Sequence, residues 1–141
     1  MMKIHIINGP NLNLLGEREP HIYGTISFEV FFDELKKKYA GKCELESFQS
    51  NVEGELINYI HAIRNQSSGI IINAGAYTHT SIAIADAIAS VRVPTVEVHI
   101  SNIFAREPFR QHSYLSKVCK GSICGLGLNG YELAINHLLT P

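Results

Sequence analysis

Two stretches of the chain place groups that can move a proton beside groups that can hold a charge. Arg18 and Tyr23 lie together on the connection from Gly9 to Gly24. A phenol ionises near pH ~10 in water, but an adjacent guanidinium favours the phenolate and can make it a base at neutral pH. The connection is long, which marks it as functional or mobile, and Gly16 and Gly24 suit the hinges of a lid. An ordinary loop tyrosine over apolar surface, beside a solvent-facing arginine, fits the same spacing. Glu97 and His99 stand two residues apart. On a strand they point to one side, so the carboxylate can orient the imidazole through one nitrogen. A satisfied structural histidine is the plainer account of His99 taken alone.

Amides and cations surround these groups. Asn73, Gly75, His79, Ser81 and Asp86 flank the start of an Ala- and Ile-rich helix. Backbone amides there can bind a carboxylate or oxyanion, or be satisfied by a capping network. Asp86 is unusual, because a carboxylate inside an apolar helix needs a partner or an interface. Arg106 and Arg110 can clamp a small anion or form surface ion pairs. A base, an acid, amide donors and a carboxylate clamp suit proton abstraction beside a carbonyl, followed by acid-assisted loss of a leaving group. His79 and His99 lack companions at metal-ligand spacing, and Cys43, Cys119 and Cys124 make no pair of pairs. No metal is expected.

Such groups need a frame that gathers distant segments. Short β-branched runs predict strands at Lys3–Asn8, Cys43–Gln49, Gly69–Asn73, Thr95–His99 and Ser122–Leu126. Helical spacing predicts Ser27–Tyr39, with Ser27 as N-cap, and Val52–Gln66, with Val52, Leu56, Ile60 and Ile63 on one stripe. Further helices are expected at Thr80–Val91 and Gly130–Leu139, and a loop with a short helix between Ile103 and Val118. This alternation implies an α/β fold: a parallel sheet with helices on both faces. For five strands that is the flavodoxin-like three-layer α/β/α sandwich, order 2-1-3-4-5. Ligands bind such sheets beyond the carboxyl ends of the strands, where the candidate residues fall. One domain is expected over residues 1–141, with a mobile lid around 17–24.

Composition narrows the function classes. The 141 residues are 45% hydrophobic and 18% charged, enough for one packed core, which excludes disorder. Twelve Lys+Arg against thirteen Asp+Glu leave a net charge of −1, which argues against nucleic-acid or membrane-surface binding through bulk electrostatics. No apolar run approaches the ~18 residues of a membrane span, and the opening one is too short for a signal peptide. A cytoplasmic protein with reduced thiols is expected. Lys36, Lys37 and Lys38 complement the negative end of their helix rather than form a binding patch. The loop after the first strand carries neither the hydroxyls of a flavin phosphate loop nor a Gly-x-Gly-x-x-Gly pattern. Gly125-x-Gly127-x-x-Gly130 matches that pattern but follows the last strand. Asn8 and Asn73 stand where a phospho-acceptor domain needs acids, and no Gly-x-Ser-x-Gly elbow occurs. A non-catalytic small-ligand or flavin-binding module on this fold remains the alternative from another class.

Several long motifs occur in order: Asn8-Gly-Pro-Asn-Leu-Asn-Leu-Leu-Gly-Glu-Arg-Glu-Pro-His-Ile-Tyr-Gly24, Phe48-Gln-Ser-Asn51, Ile72-Asn-Ala-Gly-Ala-Tyr-Thr-His-Thr-Ser81, and Glu97-Val-His-Ile-Ser-Asn102 with Arg106 and Arg110. On these the sequence closely resembles the type II 3-dehydroquinate dehydratases of the shikimate and quinate routes, over essentially the whole chain. The resemblance implies that Tyr23 removes the proton beside the substrate ketone and that Arg18 activates it. It implies that a water on Asn11 holds the enolate, and that His99, oriented by Glu97, protonates the departing hydroxyl. No metal, Schiff base or organic cofactor is implied. Asn73, Gly75, His79, Ile100, Ser101 and Arg110 then correspond to substrate contacts, with Arg106 as a second arginine. Asp86 corresponds to a residue reaching a neighbouring subunit's site, in a homododecamer built from trimers.

Overall fold

The chain is described by a computed structural model over residues 1–17 and 19–141. The strands are β1 (Lys3–Asn8), β2 (Glu44–Gln49), β3 (Gly69–Asn73), β4 (Thr95–His99) and β5 (Gly121–Cys124). They pair in parallel in the order β2-β1-β3-β4-β5, the flavodoxin-like arrangement expected from the sequence. The helices are α1 (Pro20–Tyr23), α2 (Phe28–Lys38), α3 (Glu53–Ile63), α4 (Ile82–Val91) and α5 (Asn129–Leu139).

Strand alternation sorts the core into two layers. Ile4, Ile6, Ile71, Val96 and Val98 face α2 and α5, where they meet Phe28, Phe32, Leu35, Tyr131 and Ile135. Ile7, Ile70 and Ile72 face α3 and α4, where they meet Leu56, Ile60, Ile63, Ile84 and Ile88. Burying each such side chain contributes about 1.5–3 kcal/mol. The same alternation turns Thr95, Glu97 and His99 away from Val96 and Val98, so Glu97 and His99 share one face.

The middle strands β1, β3 and β4 have the bounds expected for them. Elsewhere capping and turns shift the ends. Ser81 accepts a hydrogen bond from the Ile84 N–H at 2.9 Å, so α4 starts at Ile82 rather than Thr80. A short 3-10 turn, Gly75–His79, fills the space before it. Val52 stands in extended conformation ahead of α3 and is 55% exposed, which removes it from the buried stripe. Gly125, at φ 83, bends the chain out of the sheet, so β5 closes at Cys124 rather than Leu126. Between Ile103 and Val118 the chain makes three 3-10 turns, Ile103–Ala105, Pro108–Arg110 and Ser116–Val118. Among the described residues no helix is long and apolar enough to cross a membrane.

Candidate active site

The segments leaving the carboxyl ends of β1, β3 and β4 enclose a cavity. Its walls include Asn11, Tyr23, Asn73, Gly75, His79, His99, Ile100, Ser101, Arg106 and Arg110. Arg18 lies outside the described residues.

The floor is set where two loops cross. The Gly9 N–H donates to the Asn73 carbonyl at 2.7 Å. A Cβ on Gly9 would lie 2.4 Å from the Ala74 carbonyl oxygen, so only glycine permits this approach. Asn11 adopts the left-handed conformation, φ 70, that asparagine tolerates. Its N–H donates to Asn51 Oδ1 at 2.9 Å. Gln49 Nε2 donates to the Gly9 carbonyl and to Asn51 Oδ1, both at 3.1 Å. The end of β2 thereby holds the loop that carries Asn11.

Asn73 is fixed from behind. Its Oδ1 accepts the Gly75 N–H at 3.2 Å, and its Nδ2 donates to Tyr131 Oη at 3.0 Å. The Tyr131 hydroxyl donates in turn to Asn8 Oδ1 at 2.7 Å. This phenol is fully buried and ties the ends of β1 and β3 to α5.

Tyr23 ends α1, and its ring packs against the layer beneath α2 and α5. Its hydroxyl accepts a hydrogen bond from Arg106 Nη1 at 2.8 Å, and the same nitrogen lies 3.3 Å from Ser101 Oγ. A guanidinium in that position stabilises negative charge on the phenol oxygen. Arg110 lines the cavity while its Nε donates to Glu107 Oε2 at 2.6 Å.

Opposite Tyr23, His99 Nε2 lies 2.5 Å from Glu97 Oε2. Glu97 sits behind His99 and is 1% exposed. Burial alone would push its carboxyl up, but hydrogen bonds from His99, Ser116 and Ser113 outweigh burial and bring it down to about 2. An ionised carboxylate only accepts, so His99 Nε2 carries the hydrogen and Nδ1 is the nitrogen left for proton transfer. His79 Nδ1 lies 2.7 Å from the His112 carbonyl, which likewise assigns its hydrogen to Nδ1. Burial holds His79 below the ordinary histidine range despite that bond. Its ring lies 6.2 Å from the His99 ring, centroid to centroid.

The chain does not bring Asp86 into this cavity. Ile84, Ala85, Ala87 and Ile88 take the inward face of α4, and Asp86 points outward and is exposed. Its helix is apolar, as the sequence reads, while its own position lies on the outward face, away from the protein's own core. Sequence inspection gives Gln49 and Asn51 no role, although both fall in the Phe48–Asn51 motif, and passes over Tyr131 and the Glu97 partners Ser113, Ser116 and Ser122. Gln49 and Asn51 end a strand beside the switch point, which is the signal that could have found them.

The family model described as dehydroquinase class II matches residues 2–139. A 3-dehydroquinate dehydratase of Actinobacillus pleuropneumoniae serotype 5b (strain L20) is 52% identical over 141 residues, covering 99% of this chain and 92% of the relative. The catabolic 3-dehydroquinase of Emericella nidulans is 53% identical over 137 residues, covering 96% of this chain and 89% of that one. The crystal structure of the type II dehydroquinase from Butyrivibrio crossotus has a TM-score of 0.94 to this fold at 48% identity, covering 97% of each chain.

Proposed function

The chain belongs to the class II dehydroquinase family, and from that membership we infer a hydro-lyase that removes water from 3-dehydroquinate to give 3-dehydroshikimate. We further propose how its residues divide the work. Tyr23, as phenolate, takes the proton from the carbon beside the ketone. Arg18 and Arg106 stabilise the charge on its oxygen. The enolate oxygen is held by a water bound to Asn11. His99 then delivers a proton from Nδ1 to the departing hydroxyl as the carbon–carbon double bond forms, and Glu97 balances the imidazolium charge.

The observation that carries this assignment is the pairing across one cavity. A phenol bearing a guanidinium faces an imidazole bearing a buried carboxylate. Both reacting protons are handled by side chains, so the chemistry requires no metal, Schiff base or organic cofactor. Asn73, Gly75, His79, Ile100, Ser101 and Arg110 line the space left for the substrate ring and carboxylate. Residues 17–24 act as a lid, closing Tyr23 over the substrate in a single catalytic domain spanning 1–141. Asp86, exposed on α4, reaches the site of a neighbouring subunit within a homododecamer of four trimers, in the cytoplasm.

The test is the ultraviolet absorption of the conjugated enone when purified protein meets 3-dehydroquinate, with chelator present and again after borohydride treatment with substrate. A signal surviving both supports the assignment. Loss on chelation or on borohydride reduction would replace it with metal or Schiff-base chemistry.

A further inference from the structure

Glu97 receives four donors from four separate places in the chain. His99 Nε2 and Ser113 Oγ meet Oε2 at 2.5 and 2.8 Å. Ser116 Oγ and Ser122 Oγ meet Oε1 at 2.7 and 2.9 Å. Ser113 has no freedom to turn its hydrogen elsewhere. Its oxygen already accepts the N–H groups of Leu115 and Ser116, both at 3.1 Å, so its own hydrogen is directed at the carboxylate. Ser116 and Ser122 are exposed at the wall of a second cleft behind Glu97, while Glu97 itself is almost wholly covered. The Ser116 and Ser122 hydroxyls, 3.3 Å apart, thus stand where solvent would otherwise solvate the carboxylate.

We infer that Ser113, Ser116 and Ser122 are positioning residues of the acid, which hold Glu97 in register with His99 and set how tightly His99 keeps its proton. This rests on the assignment of His99 as the acid. Each serine draws negative charge toward itself and away from the Oε2–His99 contact. Removing a serine concentrates that charge on His99 and frees the carboxylate to rotate. The other ionisable groups around the pair are His79, Arg106, Arg110 and Tyr23 on the cavity side, with Cys119, Cys124 and His112 on the other. None of them touches the serine hydroxyls, so the serine effect is separable from theirs.

The test compares Ser113→Ala, Ser116→Ala, Ser122→Ala and the triple variant with wild type, and adds Ser116→Thr, which keeps the hydroxyl. Two readouts are taken. The first is the pH profile of kcat and KM on 3-dehydroquinate. The second is the 15N spectrum of histidine-labelled protein without substrate, which reports the His99 tautomer and its titration whether or not the protein turns over. The triple variant is expected to lose kcat about tenfold with KM nearly unchanged. Its alkaline limb and its His99 titration should both move up by about half a unit. Ser116→Thr should restore the Ser116 share of both. Unchanged His99 signals and an unmoved pH profile in a triple variant that loses only thermal stability would overturn the inference. A silent wild-type assay together with shifted His99 signals would leave the serine role standing and overturn the dehydratase assignment instead.

Discussion

Arg106 donates a hydrogen bond to the Tyr23 hydroxyl at 2.8 Å, joining a short helix after β1 to the loop beyond β4. With Tyr23 as the proposed base, Arg106 acts on that base and not only on the substrate carboxylate. Arg106→Ala should lower kcat by about 10²-fold, because the developing charge loses a cation held at the Tyr23 hydroxyl. Arg106→Lys should retain part of that activity. An unchanged kcat with a raised KM would return Arg106 to a role in substrate binding only.

Glu97→Gln removes the charge but not the volume behind His99. Its neutral amide turns an N–H toward donors that now face another donor. A fall in kcat of about 10²-fold with little change in KM is expected, measured on protein whose circular dichroism matches wild type. A variant with wild-type kcat would remove Glu97 from the mechanism.

Acid should weaken the fold in two stages. His5 and His79 are held below the ordinary histidine range by burial, so the unfolded chain takes up protons first, and their contribution falls as pH drops below ~6.5. Glu97, held at about 2, contributes stability above the ordinary carboxyl range and loses it as pH falls from ~4.5 toward 2. That second loss is about 3 kcal/mol. Urea titrations at stepped pH read both stages. Glu97→Gln should flatten the lower one, and an unchanged slope there would contradict the assignment of Glu97 as ionised in the fold.

Tyr131→Phe deletes one buried hydroxyl that serves two asparagines. Asn8 and Asn73 then each lose a partner inside the protein, at a cost of about 1–3 kcal/mol in unfolding free energy. KM should rise as Asn73 loses its support, while the limbs of the pH profile stay in place. A fully stable variant would mean that water or another group takes over the hydroxyl's bonds.

Much of the frame is legible in the sequence because its signals are local. The continuous apolar run Gly69–Asn73 reads as a central strand covered on both faces, and the alternation of five strands with helices implies the order of the sheet. The two-residue spacing of Glu97 and His99 is equally local, and on β4 it becomes a 2.5 Å contact. What escapes is long-range. Tyr131 and Asn8 are 123 residues apart, and Ser122 meets Glu97 across 25, so no periodicity announces either contact. The outward turn of Asp86 depends on which face of α4 packs, and an Ala- and Ile-rich helix offers little contrast between its faces.

The central claim is that Tyr23 takes the proton that starts the elimination. It is tested most directly by following enone absorption from 3-dehydroquinate with wild type and Tyr23→Phe side by side, after circular dichroism has matched their folds. The account predicts steady enone formation by wild type and its loss, to the limit of detection, in Tyr23→Phe. Turnover by Tyr23→Phe at a rate near wild type would contradict it.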